Sequence, residues 1–62
     1  MAARFELKRD AAGKFRFNLK AANGEIIATS EAYERKSSAL NGIESVRKNA
    51  PIAEIDDQTG PS

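Results

Sequence analysis

Two short alternating runs set most of what this chain can become. Phe5-Glu6-Leu7-Lys8 and Phe15-Arg16-Phe17-Asn18-Leu19-Lys20 each carry an apolar side chain at every second position, the period of a strand with one buried face. Between them lies Asp10-Ala11-Ala12-Gly13. Asp at the first position and Gly at the fourth suit a type I turn that ends in a left-handed residue. With Asp10 and Lys14 closing that turn, Leu7 faces Phe17 and Phe5 faces Leu19. Phe5, Leu7, Phe15, Phe17 and Leu19 then share one face, and Glu6, Lys8, Arg16, Asn18 and Lys20 the other. A slip of one residue would invert both faces, so the two runs agree on one register.

A second turn follows at Ala21-Ala22-Asn23-Gly24, where Asn-Gly between apolar runs is a strong hairpin signal. It leads into Glu25-Ile26-Ile27-Ala28-Thr29-Ser30, a third strand with two open registers. A two-residue loop turns Ile26 and Ala28 inward, whereas a loop with a bulge at Gly24 turns Ile27 inward. The small-small-x-Gly pattern shared by the two turns favours the bulged form. Either register leaves one isoleucine on the opposite face.

Glu31 to Glu34 reads as a connection, with Tyr33 as its anchor. From Lys36 the apolar period becomes helical: Ala39, Ile43, Val46 and Ala50 fall on one stripe with Leu40 beside it, as on an amphipathic helix. Ser37 is the expected N-cap. Arg47 and Lys48 suit the negative end of the helix dipole, and Asn49 and Pro51 end the helix. Gly42 in mid-helix costs about 1 kcal/mol relative to Ala, which close approach of helix to sheet would offset. Ile52-Ala53-Glu54-Ile55 is a candidate fourth strand, and residues 56–62 a flexible polar tail. The expected architecture is α+β: a β-β-β-α-β unit, with an antiparallel meander sheet packed on one amphipathic helix, as a single domain over residues 1–55.

Two longer runs carry a resemblance. Gly13-Lys14-Phe15-Arg16-Phe17-Asn18-Leu19-Lys20-Ala21-Ala22-Asn23-Gly24-Glu25-Ile26-Ile27 and Asn41-Gly42-Ile43-Glu44-Ser45-Val46-Arg47-Lys48-Asn49-Ala50 resemble the YegP-like family of uncharacterised bacterial proteins, over about residues 4–55. The resemblance implies a β-β-β-α-β unit found as tandem copies or as single copies. It implies that a single copy forms a homodimer mimicking the tandem form. It brings no established activity and no catalytic residues. The chain departs from the pattern at Glu34-Arg35, where a small hydroxyl residue would cap the helix.

Size and composition narrow the function. A chain of 62 residues buries only about 60% of the surface its unfolded form exposes. It has neither Cys nor His, so disulfides and thiolate or imidazole metal sites cannot staple it. Regular packing or oligomerisation remains. One helix is small cover for a three-stranded face. Phe5, Leu7, Phe15, Phe17, Leu19, Ile27, Ile43, Val46, Ile52 and Ile55 are therefore expected in the core or in a homodimer interface.

Catalysis finds little support. Lys36-Ser37-Ser38 reads as a helix start rather than a nucleophile and its base. Glu31, Glu34 and Glu44 fall in polar stretches where nothing raises a carboxylate pKa. Asp56-Asp57 offers too few oxygens for calcium. Gly13 and Gly24 sit in hairpins and open no helix, so they form no phosphate loop. No enzyme activity or cofactor is expected, and the sequence names no small-molecule ligand.

Net charge is +1, but residues 1–20 are basic and residues 21–62 acidic. Lys8 faces Arg16 across the hairpin, with Lys20 further along, so the outer face of the sheet is basic. A solvated face is the plainer reading. The alternative is nucleic-acid or polyanion binding through Lys8, Arg16 and Lys20. No aromatic interleaves with these cations, as stacking on single strands would need. The absence of a signal-like or membrane-spanning apolar run points to a cytoplasmic protein with no membrane partner. The expected function is that of a small homodimeric binding or structural module.

Overall fold

A computed structural model describes residues 2–60. Three strands, β1 (Arg4–Arg9), β2 (Phe15–Lys20) and β3 (Ile26–Thr29), precede one helix, α1 (Lys36–Asn49), and a 3-10 turn at Ala50–Ile52. The strands form an antiparallel sheet in the order β1-β2-β3. The first hairpin has the register its alternation dictates, with Phe5 opposite Leu19, Leu7 opposite Phe17 and Lys8 opposite Arg16.

The two turns are built alike. In the first, the Asp10 N–H donates to the Lys14 carbonyl at 2.8 Å and the Gly13 N–H to the Asp10 carbonyl at 3.0 Å. The Asp10 carboxylate also accepts the N–H groups of Ala12 and Lys14, each at 2.9 Å. In the second, the Ala21 N–H donates to Glu25 at 2.8 Å and the Gly24 N–H to Ala21 at 2.9 Å. The Asn23 side chain takes the place of Asp10 by accepting the Glu25 N–H at 3.1 Å. Gly13 and Gly24 have φ of 82° and 90°, a region open to Gly at no steric cost.

Beyond the second turn the register departs from expectation. Lys20 pairs with Ile26, but Leu19 pairs with Ala28, because a bulge shifts the ladder between them. Ile27 therefore has no opposite residue and does not enter the core; Ile26 and Ile27 are 56% and 62% exposed. The extra residue of a bulge is left out of the ladder, and the small Ala28 takes the place facing Leu19. Ser30 then ends the regular pairing. Its N–H donates to the Phe17 carbonyl at 2.9 Å, and its hydroxyl accepts the Phe17 N–H at 2.9 Å while donating to the Glu31 carbonyl at 2.8 Å.

Tyr33 anchors the connection, as expected. Its backbone exchanges hydrogen bonds with Phe15 at 2.7 and 2.8 Å. Its ring stacks on Phe17 with centroids 6.2 Å apart, and Phe5 meets Phe17 edge-on at 5.9 Å. Helix α1 crosses this cluster through its small residues. Ala39 is fully covered and Phe17 is 7% exposed. A Cβ at Gly42 would lie 2.6 Å from the Tyr33 hydroxyl and 3.2 Å from Phe17 Cε2, so the absent side chain is what lets the helix approach. Phe5, Leu7, Phe15, Leu19, Ile43 and Val46 are half-buried around this centre.

Two helix-end expectations are corrected. Arg35, not Ser37, is the N-cap, and it makes no side-chain capping bond. Helical pairing begins early enough for the Ala39 N–H to reach the Arg35 carbonyl at 3.2 Å, which places Ser37 inside the first turn. After the helix, residues 53–60 pair with no strand, so the expected fourth strand is not formed within the single chain. Ile52 and Ile55 are 78% and 97% exposed instead of lying in the core. Strand backbone needs a neighbouring ladder, and no edge of this protomer's sheet supplies one here. Pro61 and Ser62, the last residues of the expected tail, lie outside the described residues.

Candidate functional site

The outer face of the sheet is an ion-pair network centred on Glu6. Its carboxylate lies 2.9 Å from Arg4, 3.0 Å from Lys20 Nζ and 3.6 Å from Lys8 Nζ. The hydrogen bond from Lys20, followed by that from Arg4 and the charges of both, holds the Glu6 carboxyl below its ordinary 4.5. Arg16 turns instead to Asp10, at 3.1 Å. The backbone N–H of Lys14 is the main cause that keeps the Asp10 carboxyl below 3.8, with Arg16 adding to it. Of the expected anion-binding residues, Arg16 and Lys20 are thus engaged by carboxylates, and Lys8 leans towards Glu6. This network offsets the like charges that Lys8 and Arg16 bring face to face.

A different basic cluster lies at the turn end of the same hairpin, on the core side. Leu7, Lys8, Arg9, Phe15 and Lys36 line an open hollow. Arg9 faces Phe15 in register, and its guanidinium carbon sits 4.9 Å from the ring centroid. Among the described residues, neither Arg9 nor Lys36 has a carboxylate at ion-pair distance. Sequence reasoning missed both. Arg9 continues the odd-numbered inward positions one step past Leu7, and that parity was the available signal. Nothing in the local sequence brings Lys36 beside it.

Chemistry of other kinds finds no assembled site. Among the described residues no group of three or more Asp or Glu side chains gathers to hold a metal, and no buried side-chain polar atom lacks a partner. Glu44 pairs with Arg47 at 3.2 Å. Asp57 accepts the hydroxyl and N–H of Thr59, which hold its carboxyl below 3.8. Ser37 and Glu34 are exposed. No helix among the described residues is long and apolar enough to cross a membrane.

Large apolar side chains also face solvent. Ile26, Ile27, Leu40, Ile52 and Ile55 are all exposed. The protein presents 5135 Å² to solvent, against about 3,900 Å² for a compact monomer of its mass. Its radius of gyration is 13.7 Å, against about 10.6 Å for a compact domain of this length.

Residues 10–57 match the family model described as a domain of unknown function, DUF1508. A UPF0339 protein of Treponema denticola is 62% identical over 55 residues, covering 89% of this chain and 95% of the relative. The UPF0339 protein YegP of Yersinia pestis is 55% identical over 47 residues, covering 76% of this chain but only 42% of the relative. The chain thus spans nearly all of one relative and less than half of the other. A solution structure of a protein from Haloferax volcanii superposes with a TM-score of 0.81 at 46% identity, covering 90% of this chain and 95% of that one.

Proposed function

The chain belongs to the DUF1508 family of uncharacterised, YegP-like domains, and we propose that it works as a homodimeric binding or structural module whose fold is completed by a second copy. The surplus of exposed surface carries this reading. The excess over a compact monomer is about 1,200 Å², more than the roughly 800 Å² per partner that a standard interface buries. Large apolar side chains are exposed in β3, at Ile26 and Ile27, and in the segment after α1, at Ile52 and Ile55. Residues 53–56 of each protomer add to an open sheet edge of the other, which satisfies their backbone groups and covers Ile52 and Ile55 together. Sheet edges joined across a two-fold axis are a common route to dimers. The length of the Yersinia relative, with room for a second such unit, supports the same reading. Nucleic acid running along the outer face is the weaker alternative, because it would compete with Glu6 and Asp10 for Arg16 and Lys20.

Sedimentation equilibrium at micromolar concentration tests the proposal. The expected mass is twice the 6.7 kDa of one chain. A folded species of 6.7 kDa across that range would overturn it.

A further inference from the structure

We propose that the hollow at the turn end of the first hairpin binds a small amphiphilic anion, a planar or apolar body carrying a phosphate or carboxylate. The floor is apolar, made by Leu7 and Phe15, and the rim is cationic, made by Arg9 and Lys36, while Lys8 lines the hollow from a position whose ammonium turns to Glu6 on the outer face. On the outer face every carboxylate of the hairpin is spoken for: Glu6 by Arg4, Lys8 and Lys20, and Asp10 by Arg16. Around the hollow the balance reverses. Arg9 and Lys36 converge with no carboxylate at ion-pair distance among the described residues.

Arg9 is also held in place. Its cross-strand pairing with Phe15 and its position over that ring fix the guanidinium at the rim, so less freedom is lost when an oxyanion binds. Cations meeting across an apolar floor are a mismatch for water and a match for a ligand with both characters. An inorganic anion would use the rim and leave the floor wet. An uncharged ring would cover the floor and leave the cations unpaired. The lining of the hollow includes neither Ile52 nor Ile55, and its occupancy is read by a different measurement from the dimer.

Amide chemical shifts of the intact protein, titrated with phenyl phosphate, test it. The expected result is saturable shifts at Leu7 to Arg9, Phe15 and Lys36, with tighter binding than inorganic phosphate or phenol. Both R9Q/K36Q and K36Q alone should weaken binding, the former by at least about tenfold, as expected on losing charge-assisted contacts. R16Q should leave binding unchanged, and the same spectra report whether each variant is folded. Inorganic phosphate binding as tightly as phenyl phosphate would overturn the proposal. So would shifts spread equally to Arg4 and Lys20, folded R9Q/K36Q titrating like the native protein, or no saturable shift.

Discussion

The first hairpin and the isoleucine-bearing segments treat apolar side chains in opposite ways. Phe5, Leu7, Phe15, Phe17 and Leu19 lie on one face of β1 and β2, and each is buried or half-buried. Ile26, Ile27, Ile52 and Ile55 are at least as apolar, yet each is more than half exposed. The difference lies in what stands opposite. The hairpin face meets Ala39 and Gly42 of α1 and the ring of Tyr33. The isoleucines find no such facing surface and stay mostly exposed. Apolar content alone does not make a core, and a facing surface must exist at the right distance. In so short a chain the supply of facing surfaces runs out before the apolar residues do.

That contrast can be broken most decisively at the open side. Burying an isoleucine is worth about 1.5–3 kcal/mol, so I52S/I55S should raise the dimer dissociation constant by at least about a hundredfold. Analytical ultracentrifugation reads this, and an unchanged dimer would place the interface elsewhere. On the closed side, Phe17→Ala should cost about 3–5 kcal/mol and reduce or abolish the cooperative transition in urea. A loss under about 1 kcal/mol, of the size expected at a surface position, would mean that the hairpin face is not a true core.

Gly42→Ala probes how tightly the closed side is closed. Helix propensity favours Ala by about 1 kcal/mol. The new methyl would meet the Tyr33 hydroxyl at 2.6 Å, and overpacking costs about 1–3 kcal/mol. The Tyr33 backbone is paired to Phe15 and its ring is stacked on Phe17, so a net loss of stability is expected in urea titration. A stabilised variant would show that the ring can swing aside.

The smallest effect concerns the polar face behind the core. The native Glu6 carboxyl lies below its ordinary 4.5, so its contribution to stability is fully present above that pH. It is lost as pH falls through the lower native value. Glu6→Gln should therefore be less stable than the native protein near neutrality and should converge with it in acid. Parallel stability curves from urea titrations across pH 2 to 7 would show that Glu6 is not coupled to folding.

Much of this was legible in local patterns. The hairpin register followed from two alternating runs that agree, and the turns from Asp10, Gly13, Asn23 and Gly24. The helix followed from its stripe, and the tolerance of Gly42 from the need for close approach. Three features were not legible. The bulge opposite Leu19 depends on how β3 leaves its ladder at Ser30, a contact thirteen residues distant from Phe17. The helix starts at Lys36, where its apolar period does, but its N-cap is Arg35, which makes no side-chain capping bond, so no capping residue marks that position. The joining of Arg9 and Lys36 at one hollow brings together residues far apart in the chain.

Strand period, turn chemistry and helix stripe are short-range matters. Each depends on neighbours within a few positions, and the order of side chains along this chain dictates them. Which isoleucine stays outside, which carboxylate gathers the cations, and whether residues 53–56 find a ladder are matters of long-range pairing. They are settled only when the elements pack, because distance in space rather than along the backbone decides whether a group is buried, paired or left facing water.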